Sequence, residues 1–120
     1  MAQSYVDKVK DENGWIHINT YWVRIYMAGS IEQIKQICRR ECKKDPLCVT
    51  VMPTEFIYDG GEEQGVVVEL INYPKFPQSP EDINKRAREL ATILRDEAYQ
   101  DSVLTMNWIA TSWKTDREPC

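Results

Sequence analysis

The stretch from Ile16 to Ala28, I-H-I-N-T-Y-W-V-R-I-Y-M-A, constrains the fold more than any other part of the chain. It is rich in aromatic and β-branched residues, and it stops at Gly29-Ser30, directly before a helix start. Such a run predicts a long central strand, with side chains alternating between its two faces. Tyr21, Val23, Ile25 and Met27 form one face, expected to be core. Trp22, Arg24 and Tyr26 form the other, which is too apolar for ordinary solvent surface and too polar for plain core.

The remaining elements follow from turn and cap signals. Residues 1–14 are polar and read as a lead-in arm ending at the Glu12-Asn13-Gly14 turn, with Val6 and Val9 docking loosely. Ser30 and Gln33 have capping-box spacing, and Ile31, Ile34, Cys38 and Cys42 recur at helical intervals. Lys43 and Lys44 suit a helix C-terminus and Asp45-Pro46 stops it, which predicts a helix over about 31–44. Leu47 to Tyr58 reads as a strand, and Pro53 places it at the edge of the sheet. Asp59 to Gly65 reads as a glycine-rich acidic loop, from which Gly65 to Asn72 returns as a second strand of a hairpin. Ser79 caps a second helix, with Pro80 in its first turn and an apolar stripe from Ile83 to Ala98, over about 80–99. Asp101 to Trp113 reads as one final strand, with Leu104, Met106, Trp108 and Ala110 toward the core.

The order strand–helix–strand–strand–helix–strand predicts an α+β fold. Right-handed crossovers put both helices on one face of a four-stranded antiparallel sheet in the order 4-1-3-2. At 120 residues the chain has single-domain length, divided into the arm 1–14, a core 15–113 and a polar tail 114–120.

Half of such a sheet has no helix over it. The uncovered face is expected to carry Trp22, Arg24, Tyr26, Met52, Glu69 and Ile71, with Arg24 and Glu69 paired across neighbouring strands. A patch this apolar is rarely left open on a monomer. Three covers are consistent with it: the chain termini with Trp113, a second copy of the chain, or a foreign protein. Asp59, Glu62 and Glu63 at the hairpin tip offer a charged contact to the same partner.

No catalytic constellation accompanies these elements. His17 is the sole histidine, so a histidine triad or metal cage has no second member. Cys38, Cys42 and Cys48 match no structural zinc spacing and read as small apolar residues; Cys120 is expected to be exposed. The calcium-loop spacing is absent around Asp59 and Glu63, so neither metal nor cofactor is expected. A formal charge of −4 argues against phosphate neutralisation as a binding mode, despite the basic run Lys35, Arg39, Arg40, Lys43 and Lys44. The sheet aromatics suit RNA stacking, but G-V-V-V-E-L-I-N lacks the RNA-recognition signature. No run approaches the roughly 20 apolar residues of a membrane helix, so a cytoplasmic chain with reduced thiols is expected.

The element order over residues 16–113 resembles the ferredoxin-like superfold, which hosts unrelated functions. The compact acidic chain also resembles accessory proteins encoded by bacteriophages and prophages, among them inhibitors of host defence such as anti-CRISPR proteins. That resemblance implies a non-enzymatic interaction protein, a homodimer or the binder of a host protein, working through the sheet aromatics and the acidic tip. A first alternative is a dimeric α/β-barrel ligand binder or enzyme, with Arg24, Asn107, Trp22 and His17 lining a pocket between two sheets. A second is a phage structural or assembly component.

Overall fold

The computed structural model describes residues 8–117; Val6 of the expected arm and Cys120 of the expected tail lie outside the described residues. In chain order a short hairpin, β1 (Val9–Lys10) and β2 (Ile16–His17), is followed by β3 (Trp22–Ala28) and α1 (Ile31–Lys44). The run read as one strand from Ile16 is thus broken at residues 18–21, and Ile16 and His17 pair with Val9 and Lys10 of the expected arm in a separate two-stranded sheet. Then come β4 (Val49–Tyr58), β5 (Gly61–Ile71), α2 (Pro80–Glu97), β6 (Ser102–Met106) and β7 (Thr111–Thr115). β3 to β7 form one antiparallel sheet in the order β4-β5-β3-β6-β7. β3 is central and β4, with Pro53, lies on an edge where a missing N–H costs no ladder bond.

Both helices begin where the sequence offers an oxygen to cap them. Ser30 Oγ accepts the Gln33 N–H, and Ser79 Oγ accepts the Asp82 N–H at 3.1 Å. α2 ends at Glu97, two residues short of the expectation, because Tyr99 turns the backbone left-handed at φ +55. Arg40 of α1 grips the Glu97 carboxylate at the end of α2, its Nη1 lying 2.7 Å from Oε1.

The helices lie on the same side of the sheet. Ile34, Ile37 and Cys38 of α1 and Ile83, Ala87, Leu90, Ala91 and Leu94 of α2 pack on Val23, Ile25, Met27, Val66, Val68 and Leu70. Most of these side chains are fully shielded, and each large one contributes roughly 1.5–3 kcal/mol by leaving water.

The sheet has five strands, not the expected four in the order 4-1-3-2. The run read as one last strand is a hairpin of β6 and β7. Its turn is built by the Asn107 side chain, whose Oδ1 accepts the N–H groups of Ile109 and Ala110, both at 2.8 Å. Asn107 also donates through Nδ2 to Asn84 Oδ1 of α2, which ties the turn to the helix layer.

This hairpin also reverses the expected facing of β6. Ile25 pairs with Thr105, and Tyr26 pairs with Leu104. Val103 and Thr105 therefore face the helices, while Leu104 and Met106 join the opposite side. Trp108 and Ala110, also expected in the core, are exposed at the turn. β7 takes residues to Thr115 that were read as the start of a polar tail.

A second correction concerns the acidic loop. Asp59 and Gly60 make the whole turn, with φ +89 at Gly60, and β5 begins at once with Gly61. β3 reaches only as far as the Ala28–Gly65 pair, so residues 55–64 of β4 and β5 pair with each other alone. They form a two-stranded ribbon that extends about 16 Å beyond the sheet, taking five residues at about 3.3 Å each. The described chain measures 54 × 29 × 23 Å.

Candidate functional site

The face opposite the helices carries two polar features in one row of β3. Arg24 and Glu69 are cross-strand partners, and Arg24 Nε donates to Glu69 Oε2 at 2.6 Å. The bond to Glu69 raises the Arg24 pKa, with smaller help from Tyr26. The Arg24 guanidinium also lies 4.4 Å from the centre of the Trp22 ring, an arrangement that shields the indole face. Trp108 meets Trp22 edge-on at 6.4 Å and lies 5.6 Å from Tyr21. Part of the cover expected from a terminus or partner is thus supplied by neighbouring side chains of the same sheet.

One row further along β3, where the ribbon leaves the sheet, the face deepens into a cleft of about 330 Å³. Its floor is Tyr26, Ala28, Leu104 and Met106. Phe56 and Glu63 rise from the ribbon on one side, and Trp113 and Arg117 stand on the other. Asp101 and Ser102 close the end. Arg117 Nε donates to Asp101 Oδ2 at 2.9 Å; this bond pulls the Asp101 carboxyl below its ordinary range and raises the guanidinium. Glu63 makes no direct salt bridge among the described residues, but its charge adds to that of Asp101 in raising the Arg117 pKa. Two carboxylates against one guanidinium leave the cleft with one negative charge, beside three aromatic rings. Such a site suits a small ligand that joins a flat apolar part to a cationic part.

The residues singled out from sequence divide by position. Trp22, Arg24, Tyr26, Met52, Glu69 and Ile71 all lie on the open face, and their registers bring Met52 beside Val67 and Ile71 beside Trp22. Of these only Tyr26 lines the cleft. Asp59 sits at the ribbon tip, and Glu62 and Glu63 alternate to opposite faces, so Glu63 alone of the acidic three reaches the cleft. Of the pocket set Arg24, Asn107, Trp22 and His17, Arg24 lies against Trp22, while the other two are engaged elsewhere. Asn107 is engaged in the β6–β7 turn, and His17 sits on the separate hairpin with Nε2 2.8 Å from Asp11 Oδ2.

Phe56, Asp101, Leu104, Met106, Trp113 and Arg117 were not anticipated in a site. Phe56 had a readable signal: it shares the parity of Met52 and therefore the open face. The others depend on the unforeseen hairpin. The thiols of Cys38, Cys42 and Cys48 border a different groove, on the helix side. Burial, and secondarily Cys42, pushes the Cys38 thiol up to about 12, so it stays neutral at physiological pH. Among the described residues no three His, Cys, Asp or Glu side chains gather around a point where a metal ion could sit.

No protein-family model matches the sequence, and no curated protein matches it. Solved structures do match. A phage SAM lyase in complex with S-methyl-5′-thioadenosine superposes with a TM-score of 0.66 at 18% identity, over 80% of this chain and 89% of that one. A phage SAM lyase in its apo state gives 0.61, also at 18% identity, over 82% and 91%. The chain therefore shares the fold of a phage enzyme. This overturns the expectation of a non-enzymatic interaction module: the fold that the likeness to phage accessory proteins was taken to place in an inhibitor without catalysis is one that houses an enzyme.

Proposed function

We propose that this chain is an S-adenosylmethionine lyase, binding its substrate in the cleft at the root of the ribbon and releasing S-methyl-5′-thioadenosine. The shared fold with a lyase that holds this thioadenosine carries the reading. The chemistry of the cleft agrees with it. S-adenosylmethionine joins a purine nucleoside to a sulfonium and an amino acid, and the cleft joins aromatic walls to an excess of negative charge. Phe56 and Trp113 take the nucleoside, Glu63 faces the cationic centre, and Arg117 receives the substrate carboxylate.

The bond that breaks joins the sulfonium sulfur to the methionine side chain. Its electron pair stays on sulfur, which becomes the neutral thioether of S-methyl-5′-thioadenosine. As that bond breaks, an oxygen of the substrate's own carboxylate bonds to the Cγ that sulfur leaves and closes a four-carbon lactone. The carboxylate charge and the sulfonium charge cancel, so the reaction balances without water, metal or oxidant. For a phage protein, such a reaction removes the methyl donor on which methylation-dependent host defence relies, and so acts as an inhibitor without a protein target.

The direct test is to incubate the purified chain with S-adenosylmethionine and follow S-methyl-5′-thioadenosine by chromatography and mass spectrometry. Enzyme-dependent release of the thioadenosine is expected. Absence of thioadenosine release would remove the proposal, whether or not S-adenosylmethionine binds.

A further inference from the structure

Gly65 occupies a position where glycine has no backbone reason to be. It lies in the middle of β5, flanked by Ala28 on β3 and Thr54 on β4, and it is not among the residues with positive φ. A strand glycine weakens its strand, so what matters here is the missing side chain. The Phe56 ring fills that space. A Cβ on residue 65 would stand 2.1 Å from Phe56 Cε2 and 2.8 Å from Cδ2, with the Met27 carbonyl oxygen at 2.9 Å. Phe56 therefore leans back from the ribbon and lies down on the sheet at the cleft wall, at a place only glycine leaves open.

We propose that Phe56, laid over Gly65, is the stacking surface for the purine ring of the ligand, and that this pair sets the preference of the cleft for purine nucleosides. The inference rests on the lyase reading for the ligand's identity, but it concerns the base rather than the reaction. A ring held against the backbone has little freedom left to lose on binding, which is what a stacking platform needs. Stacking tolerates any base but is strongest for the larger purine surface. Ala28, the small residue beside Gly65, keeps the adjoining floor low enough for a flat ligand to enter.

The experiment measures S-methyl-5′-thioadenosine, adenosine and cytidine against the wild type, Phe56→Leu and Phe56→Tyr, by calorimetry and by proton NMR of the base. Wild type is expected to bind the thioadenosine and adenosine at least tenfold more tightly than cytidine, with upfield shifts of the purine H2 and H8 protons. Phe56→Leu keeps the apolar bulk but is expected to bind the thioadenosine about tenfold more weakly and to lose those shifts. Phe56→Tyr keeps the ring and should recover binding to within about threefold. Equal binding by wild type and Phe56→Leu, or Phe56→Tyr as weak as Phe56→Leu, overturns the inference.

The two readings fail separately. Thioadenosine release that is indifferent to Phe56→Leu leaves the lyase standing and removes the platform. Purine binding that depends on Phe56 without any cleavage does the reverse. Thermal unfolding of each variant confirms that it is folded; should Phe56→Leu fail to fold, the upfield shifts and the purine preference of wild type and Phe56→Tyr decide alone.

Discussion

Glu63 is where recognition of charge can be separated from recognition of shape. S-adenosylmethionine carries a sulfonium and S-methyl-5′-thioadenosine does not, so under the proposed reaction a Glu63 carboxylate facing that centre would distinguish substrate from product. Glu63→Gln keeps the volume and removes the charge. The expected outcome is S-adenosylmethionine affinity lowered about tenfold, with the thioadenosine held as before, both by calorimetry. Equal losses for the two ligands would mean that Glu63 only shapes the wall. At this scale the sequence revealed less of the cleft than of the core. Tyr26 and Glu63 stood among the candidates because aromatic and acidic residues on an uncovered face draw notice. Arg117 and Asp101 did not, since nothing local marks two exposed charges that only the β6–β7 hairpin brings to the end of β3.

Among the elements, the helices and the Trp22–Ala28 part of the opening run were legible because each carries several signals that agree, whereas the break that sends Ile16 and His17 to a separate hairpin carries no Gly or Pro to mark it. β3 alternates without a break, and α1 and α2 have serine caps, a matching apolar stripe and a stop. The last hairpin carries a weak one. L-T-M-N-W-I-A-T alternates well enough to pass for one strand, and its turn contains neither Gly nor Pro. The side chain of Asn107 does by hydrogen bonds what a glycine does by conformational freedom. Reading through that turn misplaced Leu104, Met106 and Trp108 together, as a one-residue slip must. Asn107→Ala removes two acceptor contacts and the link to Asn84. A loss of about 1–3 kcal/mol in urea unfolding is expected, with a change in tryptophan emission as Trp108 leaves Tyr21 and Trp22. Unchanged stability would show that the strands alone set the turn.

For the molecule as a whole, acidity is the condition most apt to loosen it. Four carboxyl groups sit below their ordinary values for the same reason, a cationic or hydrogen-bonding partner. Asp11 is lowered by His17, Glu41 by Lys44 and then Arg40, Glu97 by Arg40, and Asp101 by Arg117. A carboxyl whose pKa is lower in the folded chain binds fewer protons there than when unfolded. Its contribution is complete above the ordinary 3.8 of Asp or 4.5 of Glu and disappears as pH falls through the depressed value. The urea midpoint is expected to hold steady from pH 7 to about 5 and to drop by pH 3, less steeply in high salt because these pairs are exposed. A midpoint at pH 3 equal to that at pH 7 would contradict this. No helix among the described residues is long and apolar enough to cross a membrane.

The five residues at the end of each long strand have no third strand to brace them, yet they bear Phe56 and Glu63 at their base. One jaw of the cleft is thus mounted on a cantilever while the other is fixed to the slab. Because the Phe56 ring is pressed onto Gly65, that arm is clamped at its root, and only the length beyond Phe56 and Glu63 stands without support.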